Sequence, residues 1–217
     1  MDFDTELDQL FAAEREARRL HDTLAQHGRQ ELLGLVTALR GKINAASSLE
    51  PEEASLELVC AARLLGEFEG PEVADALIDV LASEQAEARY EAGEQLAGLA
   101  FDRFKEVAQA AERALERLPE DSLALVELPY VLADIPEGGV VKLLGGFLEH
   151  KNAEVVAAAI ETLAEIGDPA GVKLLEKLRD DARITTVGEE DEGGAEVTIG
   201  DLAREAIELL SDEESEG

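Results

Sequence analysis

Apolar residues recur at spacings of three and four through most of this chain. The pattern is clearest over residues 154–179. There Val155, Ala159, Leu163 and Ile166 fall on one face of a helix. Gly167 is placed to stop that helix, and Asp168-Pro169 supply a cap and a first residue for the next. Val172, Leu175 and Leu178 then line one face of a second helix. The connection is a few residues long, so the two helices are expected to pack as a hairpin. One such hairpin has too little core to stand alone and needs neighbours of its own kind.

The neighbours are in the chain. Leu163 and Ile166 correspond to Leu65 and Phe68, to Leu96 and Leu99, and to Leu132 and Ile135. Four residues before each leucine stand Ala159, Ala61, Ala92 and Leu128. Ala206 and Leu210 repeat the offset near the C-terminus. The steps between leucines are 31, 36, 31 and 47 residues, a period that points to stacked helical hairpins, an α-solenoid. A plain helical bundle would share the stripe, but the turn residues repeat here as well. Each repeat has an A helix carrying the Ala/Leu offset and a B helix after the turn. A small residue at the Ala position suits helices that approach closely.

The residues Leu163, Ala164, Ile166, Gly167, Asp168 and Pro169, followed by Val172 and Leu175, resemble the short HEAT repeat of bacterial and archaeal proteins, the variety also found in phycobilisome lyases. The resemblance covers about residues 51–210. It is strongest at 153–179, fair at 52–82 and weakest at 86–149. It implies an all-α, alpha-alpha superhelix and a protein-binding role. It implies no particular reaction.

Domain organisation follows. Residues 1–50 hold two helices, about 3–26 and 30–45, whose offsets differ from the repeat. Leu7, Leu10, Phe11 and Leu20 belong to the first apolar face. The pair is expected to form an N-terminal cap, with a dimerising helical hairpin as the alternative. Residues 51–210 form the solenoid. Pro129 falls inside one A helix, where a kink or a break near Leu128 is expected. Asp102 is a reasonable cap for the second B helix. Gly145-Gly146 weakens the third B helix, and close helix approach would be one reason for it. The β-branched runs 183–187 and 195–199 flank an acidic, glycine-containing loop, which predicts a β-hairpin insertion at 183–199 with residues 189–194 at its tip. Residues 211–217 read as an acidic, disordered tail.

Charge narrows the function. The chain carries a formal net charge of -31 with 50 acids against 19 Lys and Arg. That argues against nucleic acid, whose backbone requires clustered cations, and against an anionic membrane surface. An acidic surface also serves solubility, a salt-adapted host, or capture of a basic protein partner. The absence of a basic-then-apolar leader and of a long apolar run makes a cytoplasmic location the expectation. Cys60 excludes an internal disulfide and is expected to be a buried structural thiol.

Chemistry leaves few marks. His21 and His27 are six apart, which does not place two ligands on one helical face, and His150 is distant. No His-Glu pair of the kind used by HEAT-type di-iron hydroxylases occurs, and no nucleophile elbow, phosphate loop or dinucleotide fingerprint is present. Neither a catalytic set nor a metal or cofactor site is expected. The lyase activity attached to part of the family gets no residue-level support. A non-enzymatic protein-binding scaffold is the leading expectation. A maturation enzyme acting on a protein-attached prosthetic group, or an acidic chaperone for a basic protein, are the alternatives.

The resemblance places B helices on the concave side. Their positions off the apolar stripe, Asp75, Asp79, Lys105, Gln109, Lys142, Lys173 and Lys177, are therefore the candidate protein-binding residues. Four of the six lysines of the chain are among them. Those lysines could equally serve only to solvate their helices and offset the macrodipole at the C-terminal ends. The insertion tip, Glu189, Glu190, Asp191 and Glu192, is a second candidate surface.

Overall fold

The computed structural model describes residues 2–133, 135–188 and 194–216, with side chains as far as 211. Its helices are α1 (Phe3–Gly28), α2 (Leu32–Ala46), α3 (Pro51–Leu65), α4 (Pro71–Leu81), α5 (Ala86–Arg117), α6 (Leu123–Ala133), α7 (Gly139–Leu148), α8 (Ala153–Ile166), α9 (Val172–Leu175) and α10 (Ile199–Glu216). Strands β1 (Ile184–Val187) and β2 (Ala195–Thr198) pair antiparallel, with Thr185 opposite Val197 and Val187 opposite Ala195. The fold is an all-α superhelix of HEAT-like hairpins with one small β-hairpin near its C-terminal end.

The helices stack in two layers. The A layer runs α3, the first half of α5, α6, α8, α10. The B layer runs α2, α4, the second half of α5, α7, α9. The repeating offset is the spine of the core. Leu65, Leu96, Leu132 and Leu163 are all fully buried, and so are Ala92, Leu128 and Ala159. Ala61, Ala206 and Leu210 are also buried. Gly167 adopts φ 71°, the left-handed conformation that ends α8. The Asp168 carboxylate then accepts a bond from the Ala170 N–H at 2.8 Å and starts the next turn with Pro169. In the A layer, polar ties join successive helices across the outer surface. Arg63 donates to Glu91 at 2.8 Å, Arg89 to Glu127 at 3.0 Å, and the Tyr130 hydroxyl to Glu161 at 2.6 Å. Burial, and then the Glu161 carboxylate, hold the Tyr130 hydroxyl protonated far above its ordinary range.

Several expectations are corrected. The second repeat has no loop between its helices. α5 runs through, and the chain turns at Arg103 alone, with φ -133° and ψ 42°. No Gly or Pro interrupts Ala100–Phe104, so nothing ends the helix, and Asp102 lies inside it rather than capping a new one. Pro129 does not break α6. The proline forfeits one backbone donor, but Leu125, Leu128 and Leu132 around it are fully buried between α5, α7 and α8, and that packing outweighs the lost bond. The fourth B helix is less regular than its stripe suggests. It is the short α9 flanked by 3-10 turns at Pro169–Gly171 and Glu176–Leu178. Among the described residues no further B helix packs on its outer side to hold it regular.

Cys60 is exposed, contrary to its expected burial. The buried residues of α3 are Ala54, Leu58, Val59, Ala61, Ala62, Leu64 and Leu65, and Cys60 falls with exposed Leu56 on the opposite side. α1 is likewise anchored only at its last turns. Ala25 and Gly28 are buried, and a Cβ on Gly28 would meet the Phe68 ring at 2.4 Å. Every residue from 2 to 20 is exposed, including the predicted apolar face. α10 continues to Glu216, across most of the stretch whose composition marks it as a tail.

Candidate protein-binding face

The B layer divides into two halves of different chemistry. In the first half the charges are consumed within the molecule. Asp79 on α4 is only 12% exposed and takes Arg40 of α2 at 2.7 Å and Arg117 of α5 at 2.6 Å. Asp75, one turn earlier, takes Arg113 at 3.0 Å, and the Asp75 carbonyl accepts from Arg117 at 3.3 Å. The two predicted binding carboxylates therefore tie α2, α4 and α5 together. We expect Asp79→Ala to cost about 1–2 kcal/mol, less than for a fully buried pair because both arginines keep partial solvent access. A double-mutant cycle with Arg117→Ala, read by urea denaturation, checks it. Additive losses would mean that the pair contributes nothing.

In the second half the charges are not consumed. Lys105 and Gln109 on α5, Lys142 on α7, Lys173 on α9 and Lys177 just after it are candidates of a different kind. Among the described residues none of these four lysines makes an ion pair. The placement of Lys142 argues against a purely helix-stabilising role. It is the fourth residue of α7, whereas Lys105 stands in the interior of α5 and Lys173 and Lys177 stand in the last turns of their short segments. Cations near helix N-termini oppose the macrodipole.

Lys142 and Lys177 both line an open cleft of about 890 Å³ between α7 and the 172–178 segment. Gly145, Gly146, Leu174 and Leu178 supply apolar wall. A Cβ on Gly145 would lie 3.5 Å from Leu174, and one on Gly146 3.4 Å from Leu115. Both are ordinary contact distances, so close helix approach does not explain the glycines. Their missing side chains instead widen the cleft. At its far end Arg183 is held by Asp181 at 2.6 Å and donates to the carbonyls of His150 at 2.7 Å and Lys151 at 3.0 Å. Arg183 holds the Asp181 carboxyl below its ordinary range. Lys151 pairs with Glu120. Burial holds the His150 imidazole below its usual pKa, and its Nδ1 accepts from the Asn152 N–H at 3.2 Å.

The structure brings Lys142 and Lys177 together and leaves Asp75 and Asp79 in a separate network. Glu189, Glu190, Asp191 and Glu192 lie outside the described residues. The cleft residues missed by sequence do carry a faint signal. Gly145, Gly146 and Glu149 follow the predicted Lys142 at i+3, i+4 and i+7, on one face of a helix. Among the described residues no group of three or more His, Cys, Asp or Glu is placed to hold a metal ion, and no helix is long and apolar enough to cross a membrane.

No curated protein matches the chain. Crystal structures of two engineered proteins align over most of its length. One is 21% identical, covering 90% of this chain and 89% of the other at a TM-score of 0.35. The second is 18% identical, covering 92% of each chain at a TM-score of 0.38. Residues 96–187, from the second repeat through the cleft to the end of β1, match the family model of HEAT repeats.

Proposed function

We propose that this chain is a non-enzymatic scaffold that holds a segment of another protein against the α5–α7–α9 half of its B layer. The observation that carries this reading is the set of lysines without ion pairs beside an open apolar cleft, in a chain whose net charge is -31. Lys142 sits near the N-terminus of α7, where it opposes the helix dipole, which makes it a poor stabiliser and a better candidate for contact. A fitting partner presents apolar side chains to Leu174 and Leu178 and carboxylates to Lys142 and Lys177. Stacked helical hairpins offer the extended surface that such a segment requires.

The test is capture of partners from a lysate of the source cells at low and high salt, followed by affinity measurement with the Lys105→Ser, Lys142→Ser, Lys173→Ser, Lys177→Ser variant. An acidic partner is expected to lose about 10–100-fold in affinity, with weaker binding at high salt. The fold is expected to survive, since exposed charges contribute little to stability. A partner that binds the variant more tightly would be basic and would place the contact on the acidic surface instead. Unchanged affinity in the folded variant would rule out the lysine face.

A further inference from the structure

β1 keeps one edge open. The Ile199 N–H donates to the Arg183 carbonyl at 2.9 Å, and Arg183 stands opposite Ile199 in the register that sets Ile184 against Thr198. Hydrogen-bonded and non-hydrogen-bonded pairs alternate along an antiparallel ladder. Thr185 with Val197 and Val187 with Ala195 are then the bonded pairs. Ile184 and Thr186 turn their N–H and C=O groups outward, and among the described residues nothing bonds to these four groups. Thr185 points into the body at 6% exposure, while Ile184 stands 61% exposed at the edge.

The two edges of the hairpin differ. Glu196 and Thr198 face outward on β2. There the Thr198 N–H and hydroxyl both donate to the Asp201 carboxylate, at 3.4 and 2.5 Å, and Glu196 adds a charge. α10 packs beside that strand. Charges and covering elements are the usual means of closing an edge to other chains. β1, Ile-Thr-Thr-Val, carries no charge and no proline. A row of unpaired backbone donors and acceptors fits one kind of occupant, another extended backbone.

Charge and position select that backbone. β1 follows directly on Arg183, which lines the cleft together with Lys142 and Lys177. A segment running antiparallel to β1 therefore carries its C-terminal part toward the cleft. The lysines there favour carboxylates, and the uncharged β1 favours uncharged, β-branched residues upstream of them. A second copy fits less well, because two chains of net charge -31 repel and β1 offers no opposite charge to β1. We propose that the outer edge of β1 is a docking site for an extended segment of the partner protein, which adds a third, antiparallel strand there and continues into the cleft through an acidic, apolar C-terminal stretch. The continuation into the cleft rests on the proposed function, whereas the edge does not.

The probe is the synthetic peptide Val-Thr-Val-Thr-Gly-Leu-Glu-Leu-Glu, titrated against the full chain by fluorescence anisotropy. Only alternate residues of an added strand turn their N–H groups to β1. N-methylation of the two valines and N-methylation of the two threonines are therefore expected to differ, one weakening binding at least about 10-fold and the other leaving it within about 2-fold. Saturation with the peptide is expected to slow exchange of the Ile184 and Thr186 amides at least about 10-fold. Ile184→Pro removes an outward N–H and no bond within the hairpin, so its circular dichroism is expected to match the parent while binding falls at least about 10-fold. The methylated peptides decide the matter even where that substitution disturbs the hairpin. Binding lost in Lys142→Ser with Lys177→Ser, but kept in Ile184→Pro and with both methylated peptides, would overturn the edge and leave the cleft standing. Binding lost in Ile184→Pro alone would support the edge and remove the cleft. No binding at millimolar peptide would overturn the proposal, as would unchanged exchange at Ile184 and Thr186 in the saturated chain. So would a dimer of the chain alone that Ile184→Pro dissolves, since the edge would then belong to a second copy.

Discussion

Phe147→Ala is expected to destabilise the protein by about 3–5 kcal/mol. Phe147 is fully buried in α7, and α7 packs against α5, α6, α8 and α9. Truncation therefore removes the ring's own transfer energy and leaves a void whose walls belong to several helices. Those helices cannot all close on it, because each is also held by its next neighbour. Because a solenoid is stabilised by nearest-neighbour contacts, the damage should be local. Amide hydrogen exchange is expected to quicken in α6, α7 and α8 while α3 and α4 keep their protection. A stability within about 1 kcal/mol of the parent by urea titration, or loss of protection spread evenly over all helices, would contradict this picture of the core.

Ala159→Leu is expected to cost about 1–3 kcal/mol by the opposite mechanism, overpacking. Ala159 has no solvent exposure and occupies the small-residue position that Ala61, Ala92 and Ala206 occupy in α3, α5 and α10, while α6 has Leu128 there. The larger side chain must displace a neighbour or adopt a strained rotamer, since the interior is already filled. The measurement is a urea titration in which the midpoint falls and the slope stays constant. An equal midpoint would show that the A layer holds a void at that position.

The core was legible because it is written twice, once in the apolar stripe and once in the turns. Leu163 could be placed from sequence since Gly167, Asp168 and Pro169 fix where its helix ends. Periodicity fails where it must say whether a face has a partner. The stripe of α1 is as regular as that of α8, yet one is exposed and the other buried, because burial depends on what the chain brings alongside. Cys60 shows the same limit at one residue. It lies next to buried Val59 and Ala61, but one step along a helix turns the side chain by more than a quarter turn.

The candidate site was half legible for a related reason. Asp79 and Lys142 look alike in sequence, each a charge on a B helix beside apolar neighbours. Their fates diverge because Arg40 and Arg117, each 38 or more residues away, converge on Asp79, while no carboxylate among the described residues converges on Lys142. Local pattern cannot supply a counter-ion from that distance. Of the kink or break expected at Pro129, the break does not occur, for the complementary reason. The local cost of a proline is real, and the burial around α6 outweighs it.

The glycine pair in α7 bears on how this chain would change under selection. Each glycine costs about 1 kcal/mol relative to alanine inside a helix, and each has room for a methyl group. Thermal adaptation, or an engineer screening for robustness, would reach Gly145 and Gly146 early, since few substitutions are so simply favourable. The same two methyl groups would narrow the space between Lys142 and Lys177. Under the proposed function, heat tolerance and partner capture are set against each other at one turn of one helix, and lineages free of the second demand should be the ones that lose the glycines.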